Sequence, residues 1–141
     1  MGEGIDQSRM SVMVAEEAND LAGFACFLFD QEQDFGTYLH NIYVAKGYQR
    51  RGVASGLLAA GIEAFHATRR GEPVHLLVFA KNAPARAFYD RLGGRVIEQI
   101  ERSRAGSEPV ALFRYQWASA NKLREASLRQ ISGSGINRSS G

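Results

Sequence analysis

The stretch YVAKGYQRRGVASGLLAAGIEAF, residues 43–65, runs from a strand-like apolar segment through a basic turn into a helical pattern. Arg50, Arg51 and Gly52 lie where the strand would give way to the helix, with Lys46 just before them. The first N–H groups of a helix have no partner within it, and the helix dipole favours negative charge there. Gly52 would let a ligand approach the backbone because it has no Cβ. The stretch therefore predicts an anion-binding site at the start of a helix.

Two common phosphate-binding motifs are excluded at this turn. No Gly-Lys-Ser/Thr follows it, so it is not a Walker A loop. Its glycines also lack the Gly-x-Gly-x-x-Gly spacing of a dinucleotide-binding turn.

The first third of the chain predicts three strands. Residues 11–17 (SVMVAEE) alternate apolar and polar and, together with the apolar run 21–30, predict a hairpin. Residues 37–44 (TYLHNIYV) are rich in aromatic and β-branched residues and predict a third strand. Because side chains alternate along a strand, this strand is expected to place four residues on one face: Tyr38, His40, Ile42 and Val44.

The rest of the chain predicts helices alternating with strands. Apolar residues from 53 to about 66 follow helical spacing, a buried strand covers 73–79, and a second helix covers 83–92. Asn82 suits the N-cap of the second helix, Pro84 its first turn, and Gly93 and Gly94 its end. Residues 95–102 and 109–117 predict a closing hairpin. The predicted order is β-β-β-α-β-α-β-β.

The chain is expected to form one domain with two short ends. Its 141 residues suffice for a single core. We expect residues 1–10 to be disordered or a short lead-in and residues 11–117 to form the domain. Residues 118–141 would be a short helix at 118–130 followed by a flexible, Gly/Ser-rich tail at 132–141.

Composition favours a cytoplasmic globular protein. The 45% hydrophobic and 23% charged fractions are ordinary, and a net charge of +2 is too small to indicate nucleic acid by itself. Cys26 is the only cysteine, so no internal disulfide can form. No apolar run approaches the roughly 20 residues of a membrane span, and the start MGEGIDQSRM lacks the apolar region of a signal peptide. We therefore expect no membrane, nucleic-acid or metal partner.

Two motifs resemble those of the GNAT superfamily of N-acetyltransferases. The turn QRRGVA, residues 49–54, is similar to the family's Gln/Arg-x-x-Gly-x-Gly/Ala signature. The segment NAPARAFYDRLGGRV, residues 82–96, resembles the second motif, Asn-x-x-Ala-x-x-Phe-Tyr-x-x-Leu-Gly-Phe, with only the last Phe replaced, by Gly94. The resemblance spans about residues 11–117. It implies an α/β (α+β) fold with a mixed, mostly antiparallel sheet of about six strands, lacking the family's usual first strand and first two helices.

The resemblance also implies acetyl-CoA as co-substrate. The pyrophosphate would lie on the backbone of the turn, and the pantetheine arm would hydrogen-bond to the third strand and to Asn82. The Ile42 N–H would donate to the thioester oxygen, where negative charge develops during transfer. The implied cofactor-binding residues are Ile42, Tyr43, Val44, Gln49, Arg50, Arg51, Gly52, Val53, Ala54, Ser55 and Asn82.

Two residues are candidates for catalysis. Tyr89 falls at the family position that protonates the departing thiolate, and a phenol with a pKa near 10 is a reasonable acid for a thiol with a pKa of roughly 8.5. The alternative is a tyrosine that only packs in the core. His40 lies two residues before Ile42, and an imidazole suits the base that deprotonates the amine. The alternative is that His40 is structural and that Tyr38 orients a water that acts as the base.

The implied function is direct transfer of an acetyl group to a primary amine of a small molecule or peptide. The acceptor itself is not identified. The alternative function is a non-catalytic acyl-CoA-binding module or a degenerate partner subunit. An exposed strand edge and an apolar patch on the face of residues 21–29 predict a possible homodimer. A helix at 118–130 that folds back over the patch would instead leave a monomer.

Overall fold

Six strands and four helices make up the described part of the chain, which a computed structural model gives for residues 9–32, 34–103 and 105–139. The strands are β1 Met10–Glu17, β2 Asp20–Glu32, β3 Gly36–Val44, β4 Val74–Phe79, β5 Arg95–Arg102 and β6 Val110–Trp117. The helices are α1 Val53–Glu63, α2 Ala67–Arg70, α3 Ala83–Arg91 and α4 Ala120–Ser139, and a 3₁₀ turn covers Lys46–Tyr48. The predicted order is confirmed, with the short α2 added before β4 and the predicted C-terminal helix present as α4.

The strands form one mixed sheet in the order β1-β2-β3-β4-β6-β5. Neighbouring strands are antiparallel except β3 and β4, which are parallel. The β1–β2 and β5–β6 hairpins form the two edges, and α1 and α2 connect β3 to β4. The prediction of a mixed, mostly antiparallel sheet is therefore confirmed.

Helices α1, α3 and α4 contribute to one core on one face of the sheet. Leu58 and Ile62 of α1, Phe27 of β2 and Leu123 of α4 are all fully buried. A Cβ at Gly61 would come within 2.8 Å of the Phe27 ring, so glycine allows α1 to approach β2 closely. Complete burial of a large apolar side chain contributes about 1.5–3 kcal/mol. This packing fixes α1, and with it the turn that opens α1, against the sheet.

The opposite face of the sheet, called the outer face below, carries several exposed apolar side chains. Alternation places Val12 and Val14 of β1 there, and Val14 is 49% exposed. Phe24 of β2 and Tyr43 of β3 lie together on this face, with ring centroids 5.6 Å apart. Phe79, at the end of β4, is 54% exposed. These side chains form an apolar surface on the outer face.

A β-bulge in β3 changes the face of the strand on which His40 lies. The pairing of β3 with β2 shifts by one residue between Leu39 and Asn41, so His40 is the extra residue. The prediction that His40 and Ile42 share a face is therefore wrong. Ile42 packs against the core, whereas His40 is exposed and its ring lies 5.8 Å from that of Tyr38. A bulge breaks the two-residue alternation on which the prediction relied.

The last helix is longer than predicted. The sequence indicated a short helix followed by a flexible tail from residue 132, whereas α4 runs as far as Ser139. Leu123 and Ala126 are buried in the core, and Arg124 Nε donates to Glu63 Oε2 of α1 at 2.9 Å. These contacts hold the first half of α4 against the rest of the domain.

The two chain ends are only partly comparable with their predictions. Residues 1–8, 140 and 141 lie outside the described residues. Of the predicted lead-in 1–10, Met10 already belongs to β1.

None of the helices in the described ranges has the length and apolar content that a membrane crossing requires. A cytoplasmic location stays a prediction.

Candidate active site

Helix α1 begins in the way the sequence predicts for an anion site. Gly52 is the N-cap with φ +80°, and Arg50 has φ +66°, so both adopt the left-handed conformation. The first helical hydrogen bond runs from the Gly56 N–H to the Gly52 carbonyl at 2.9 Å. The N–H groups of residues 53–55 precede that bond and have no acceptor within the helix. Besides leaving room for a ligand at the backbone, glycine at position 52 allows the positive φ that the turn requires.

A cavity of about 660 Å³ opens beside this turn and is called the helix-side cavity. It brings together most of the predicted cofactor-binding residues and Tyr89. Its walls come from β3, the turn, α1, α3 and α4: Ile42, Val44, Gln49, Arg50, Gly52, Val53, Ala54, Ser55, Pro84, Ala85, Phe88, Tyr89, Arg91 and Gln130.

Three predicted cofactor-binding residues do not line the helix-side cavity: Arg51, Tyr43 and Asn82, the last of which is described below. Arg51 Nη2 donates to Glu17 Oε1 at 3.4 Å, and its guanidinium lies 5.1 Å from the Tyr48 ring centroid. Its charge is therefore directed to the β1–β2 hairpin, and Arg51 does not line the helix-side cavity. The Tyr43 ring lies on the outer face against Phe24. Only the backbone of Tyr43 is therefore left for the predicted contact with the pantetheine arm.

Strands β3 and β4 separate soon after they begin. They pair at only two positions, residues 37–38 of β3 with residues 74–75 of β4. The space beyond holds a second cavity of about 260 Å³, called the gap cavity. Ile42, Ala85 and Tyr89 line both cavities and so stand where the two meet. The full lining of the gap cavity is Leu39, His40, Asn41, Ile42, Leu76, Leu77, Val78, Phe79, Asn82, Ala85, Tyr89 and Leu112.

Tyr89 is held in an aromatic environment on α3. It is 8% exposed, and its ring centroid lies 5.8 Å from that of Tyr115 and 6.1 Å from that of Trp117. Trp117 is itself fixed by a 2.9 Å hydrogen bond from Nε1 to the Leu92 carbonyl. Burial raises the pKa of Tyr89 to about 12, because desolvation disfavours the phenolate. The phenol therefore stays protonated throughout the physiological pH range.

His40 lies on the gap cavity and adjoins a buried polar cluster. Its ring is 5.8 Å from Tyr38, which stacks on His75 at 5.0 Å. His75 is fully buried, and its Nδ1 lies 2.8 Å from Arg114 Nη1. Arg114 Nε in turn donates to Glu98 Oε2 at 2.7 Å. The buried cluster therefore supports the Tyr38 ring, and the Tyr38 ring in turn contacts the ring of His40.

Asn82 both caps helix α3 and lines the gap cavity. Its Oδ1 accepts a hydrogen bond from the Ala85 N–H at 3.2 Å, as the predicted N-cap requires. The same residue lines the gap cavity. The cap uses only the side-chain oxygen, so the amide nitrogen can serve as a donor to a ligand.

The sequence prediction misses two polar residues of the helix-side cavity. Arg91 lies in the last turn of α3, where a basic residue is equally typical of a helix end that complements the dipole. Gln130 comes from α4 and reaches the cavity because α4 packs along α1. Arg91 gave no signal through Tyr89, because residues two apart on a helix do not share a face. Gln130 had no local signal.

A third cavity, of about 690 Å³, lies away from the helix-side cavity and the gap cavity. It is bordered by β1, the end of β2 and α2, including Met13, Phe29 and Arg69. No predicted site residue lines it, so size alone does not mark the site.

Comparison with known proteins identifies the family. A family model described as the acetyltransferase (GNAT) family matches residues 3–94. The chain belongs to this family. A curated relative, the 5-NmdU N-acetyltransferase of Pseudomonas phage PaMx11, is 35% identical over 106 residues, which cover 75% of this chain and 69% of that protein. The predictions of a GNAT family member and of an N-acetyltransferase are thereby confirmed.

Solved structures agree with the GNAT fold. A protein of Desulfovibrio desulfuricans assigned to the GNAT family superposes with a TM-score of 0.67 at 25% identity, covering 81% of this chain and 70% of that one. An acetyltransferase of Bacillus subtilis, solved with CoA, superposes with a TM-score of 0.59 at 18% identity, covering 77% and 76%. The second likeness concerns the fold alone.

Proposed function

We propose that this acetyltransferase moves the acetyl group of acetyl-CoA directly to a primary amine at Tyr89. The observation that carries the proposal is that Tyr89 lines both the helix-side cavity and the gap cavity. The co-substrate, held in the helix-side cavity with its pantetheine arm along β3, would present its thioester beside this phenol, where the acceptor amine would meet it. Holding both reactants there would make the transfer effectively unimolecular.

The walls of the helix-side cavity suit acetyl-CoA. The anionic pyrophosphate would accept hydrogen bonds from the N–H groups of residues 53–55, with Arg50 beside it. The pantetheine arm carries amide groups that match the backbone of residues 42–44, where β3 no longer pairs with β4. Asn82 would donate to the same arm through its amide nitrogen.

In the proposed transfer the amine nitrogen bonds to the thioester carbonyl carbon as the carbon–sulfur bond breaks. The Ile42 N–H would donate to the carbonyl oxygen while negative charge develops on it. Tyr89 would supply a proton to the departing sulfur, and the nitrogen would lose one proton to a base. The buried phenol stays neutral until its proton is needed.

The high pKa of Tyr89 shapes its role. Full proton transfer from a phenol with a pKa of about 12 to a thiolate whose thiol has a pKa of roughly 8.5 is uphill by about 5 kcal/mol. Desolvation raises the pKa of the thiol as well, which narrows that difference. Tyr89 would therefore act first by hydrogen-bonding to the sulfur as charge develops, and the proton would follow as CoA leaves.

His40 is the proposed base. It lies on the gap cavity, although the bulge turns it away from the face of Ile42. Tyr38 beside it is the alternative, acting through a water. His40→Ala should lower kcat by about 100-fold while leaving the Kd of acetyl-CoA nearly unchanged. Unchanged turnover in this variant would reassign the base.

The proposed acceptor class is a primary amine on a small molecule or peptide. The relative from phage PaMx11 is named for 5-NmdU, which makes 5-NmdU a first compound to assay. Acetylation followed by mass spectrometry over a panel of amines would test the class directly.

Tyr89→Phe tests the catalytic assignment. Removing the phenol should lower kcat by about 100-fold or more and leave the Kd of acetyl-CoA nearly unchanged, because the lost interaction forms only as sulfur departs. Tyr48→Phe is the matched control, since Tyr48 lies outside both cavities. Unchanged turnover in Tyr89→Phe would reduce Tyr89 to a packing role. Acetyl-CoA binding without turnover of any amine would support the non-catalytic alternative.

The homodimer stays a prediction. β1 is an edge strand of the sheet, and Val12 and Val14 are exposed beside that edge. Exposed apolar edge strands favour pairing with a second copy. Such pairing would leave the gap cavity open, because two strands separate β1 from β4.

A further inference from the structure

Helix α3 ends in a turn with two hydrogen bonds, and one of them is made to Tyr89. The Gly94 N–H donates to the Tyr89 carbonyl at 3.0 Å, and the Gly93 N–H donates to the Asp90 carbonyl at 3.0 Å. Gly93 has φ +82°, the left-handed conformation that this turn requires. In such a Schellman turn the residues at the positions of Tyr89 and Gly94 frequently make an apolar side-chain contact. Gly94 has no side chain with which to make it.

Trp117 of β6 occupies the space where a side chain at position 94 would lie. A Cβ on Gly94 would come within 2.7 Å of Trp117 Cζ2 and 3.0 Å of Trp117 Cη2. The Trp117 ring centroid lies 6.1 Å from that of Tyr89 at an interplanar angle of 77°, an edge-to-face arrangement that aromatic rings favour. Gly94 is also the position at which residues 82–94 depart from the GNAT motif. A ring from a distant strand therefore makes the contact that Gly94 cannot make.

Strand β6 also binds the last turn of α3 through hydrogen bonds. Trp117 Nε1 donates to the Leu92 carbonyl at 2.9 Å, and the Tyr115 hydroxyl donates to Asp90 Oδ1 at 2.8 Å. Helix α3 has nine residues, which are too few for a stable isolated helix in water. Its position, and with it that of the Tyr89 phenol, therefore depends on contacts such as these.

We infer that Trp117 is a positioning residue for the acetyl transfer, because its indole supplies to Tyr89 the contact that position 94 lacks. The inference rests on the proposed function and adds a residue outside the two cavities. Trp117 lines neither the helix-side cavity nor the gap cavity, so it acts through Tyr89 rather than on a substrate. A displacement of about 1 Å at a catalytic group can cost roughly 100-fold in rate. Loss of the indole should therefore lower kcat more than it weakens acetyl-CoA binding.

Trp117→Phe tests this role with little change in polarity, because it shortens the ring and removes the Nε1–H donor. It should lower kcat by about 5- to 20-fold and change the Kd of acetyl-CoA by less than about twofold. Phe65→Leu is the matched control: Phe65 and Trp117 are both 4% exposed, but the Phe65 ring packs against Phe27 and Phe29 instead of Tyr89. Phe65→Leu should keep the parent kcat. Turnover is measured with 5-NmdU or the fastest acceptor of the amine panel, and urea titrations show that each variant is folded.

The Tyr89→Phe background separates positioning from a general structural effect. With no phenol hydroxyl to place, adding Trp117→Phe should change the residual kcat by less than about twofold. Gly94→Ala puts a methyl group against the indole and should lower kcat on its own. Combined with Trp117→Phe, whose ring lacks Cζ2 and Cη2, its further loss should be at least about threefold smaller than in the parent. If Trp117→Phe does not fold, Gly94→Ala in the two Tyr89 backgrounds makes the same test.

Three outcomes would overturn the inference and leave the acetyltransferase assignment intact. These are a parent-like kcat in folded Trp117→Phe, an equal loss in Phe65→Leu, and a full further loss when the Trp117 change is added to Tyr89→Phe. Failure of the parent to acetylate any amine would instead overturn the proposed function together with the inference.

Discussion

The two adjacent arginines of the turn should contribute very differently to acetyl-CoA affinity. Arg50 lines the helix-side cavity beside the first N–H groups of α1, whereas Arg51 is drawn to Glu17 and Tyr48. The family signature does not distinguish the two positions. We therefore predict that Arg50→Ala weakens acetyl-CoA binding and that Arg51→Ala, its neighbour in sequence, is the matched control.

The size of the effect follows from exposure. A hydrogen bond to a charged group contributes about 1.5–3 kcal/mol, and the exposed position of Arg50 reduces this to about 1–2 kcal/mol, or roughly 5- to 30-fold in Kd. The Arg51–Glu17 pair joins side chains that are 52% and 56% exposed. Such pairs contribute about 0–1 kcal/mol to stability, and breaking one should change the Kd of acetyl-CoA by less than about threefold.

Titration calorimetry at low salt measures both variants. Arg50→Lys keeps the charge but loses the planar guanidinium and should give an intermediate Kd. The difference between Arg50→Ala and the parent should shrink as ionic strength rises, because the lost contact is between exposed charges. Equal losses in the two alanine variants, or a larger loss in Arg51→Ala, would refute the assignment of the phosphate contact to Arg50.

Four further predictions concern stability and assembly. Because burial raises the pKa of Tyr89 to about 12, the unfolded chain loses this proton first, so the free energy of unfolding should fall between pH 10 and 12 by up to about 2.7 kcal/mol. Urea titrations of the parent and Tyr89→Phe should diverge in that range. Gly36→Ala should destabilise by about 2–4 kcal/mol, because φ is +95° and the Cβ would overlap the Pro73 carbonyl. Gly56→Ala, in α1 with open space around it, should stabilise by about 0.5–1 kcal/mol. Light scattering should give the mass of a homodimer, and a clean monomer would contradict the edge-pairing prediction.

The element order and the starts of α1 and α3 were predictable because their signals are local. Gly52 before an apolar helical repeat and Asn82 before Pro84 mark helix starts within a few residues, and the structure places α1 and α3 there. The Asn82 side chain makes the cap that its residue type suggested. Capping and periodicity depend on neighbours in sequence, so they can be recognised before any long-range contact is known.

The remaining features depend on pairing between distant segments. The bulge at His40 arises from the register of β3 against β2, and strict alternation along β3 gives no sign of it. The partner of Arg51 lies 34 residues earlier in the chain. Gln130 reaches the helix-side cavity only because α4 packs on α1. Each depends on the tertiary arrangement, which composition and spacing do not encode.

The early separation of β3 from β4 ties the fold to the proposed chemistry. Each strand pairs on its other side, β3 with β2 and β4 with β6, and the two pair with each other only at residues 37–38 and 74–75. Beyond those residues the facing backbone groups lack a strand partner in the described part of the chain. Backbone N–H and C=O groups away from water require hydrogen bonds, so this gap favours a ligand with its own amides. The pantetheine arm has such amides, and a ligand bound there as an added strand would present its thioester to Tyr89, the side chain that joins the two cavities.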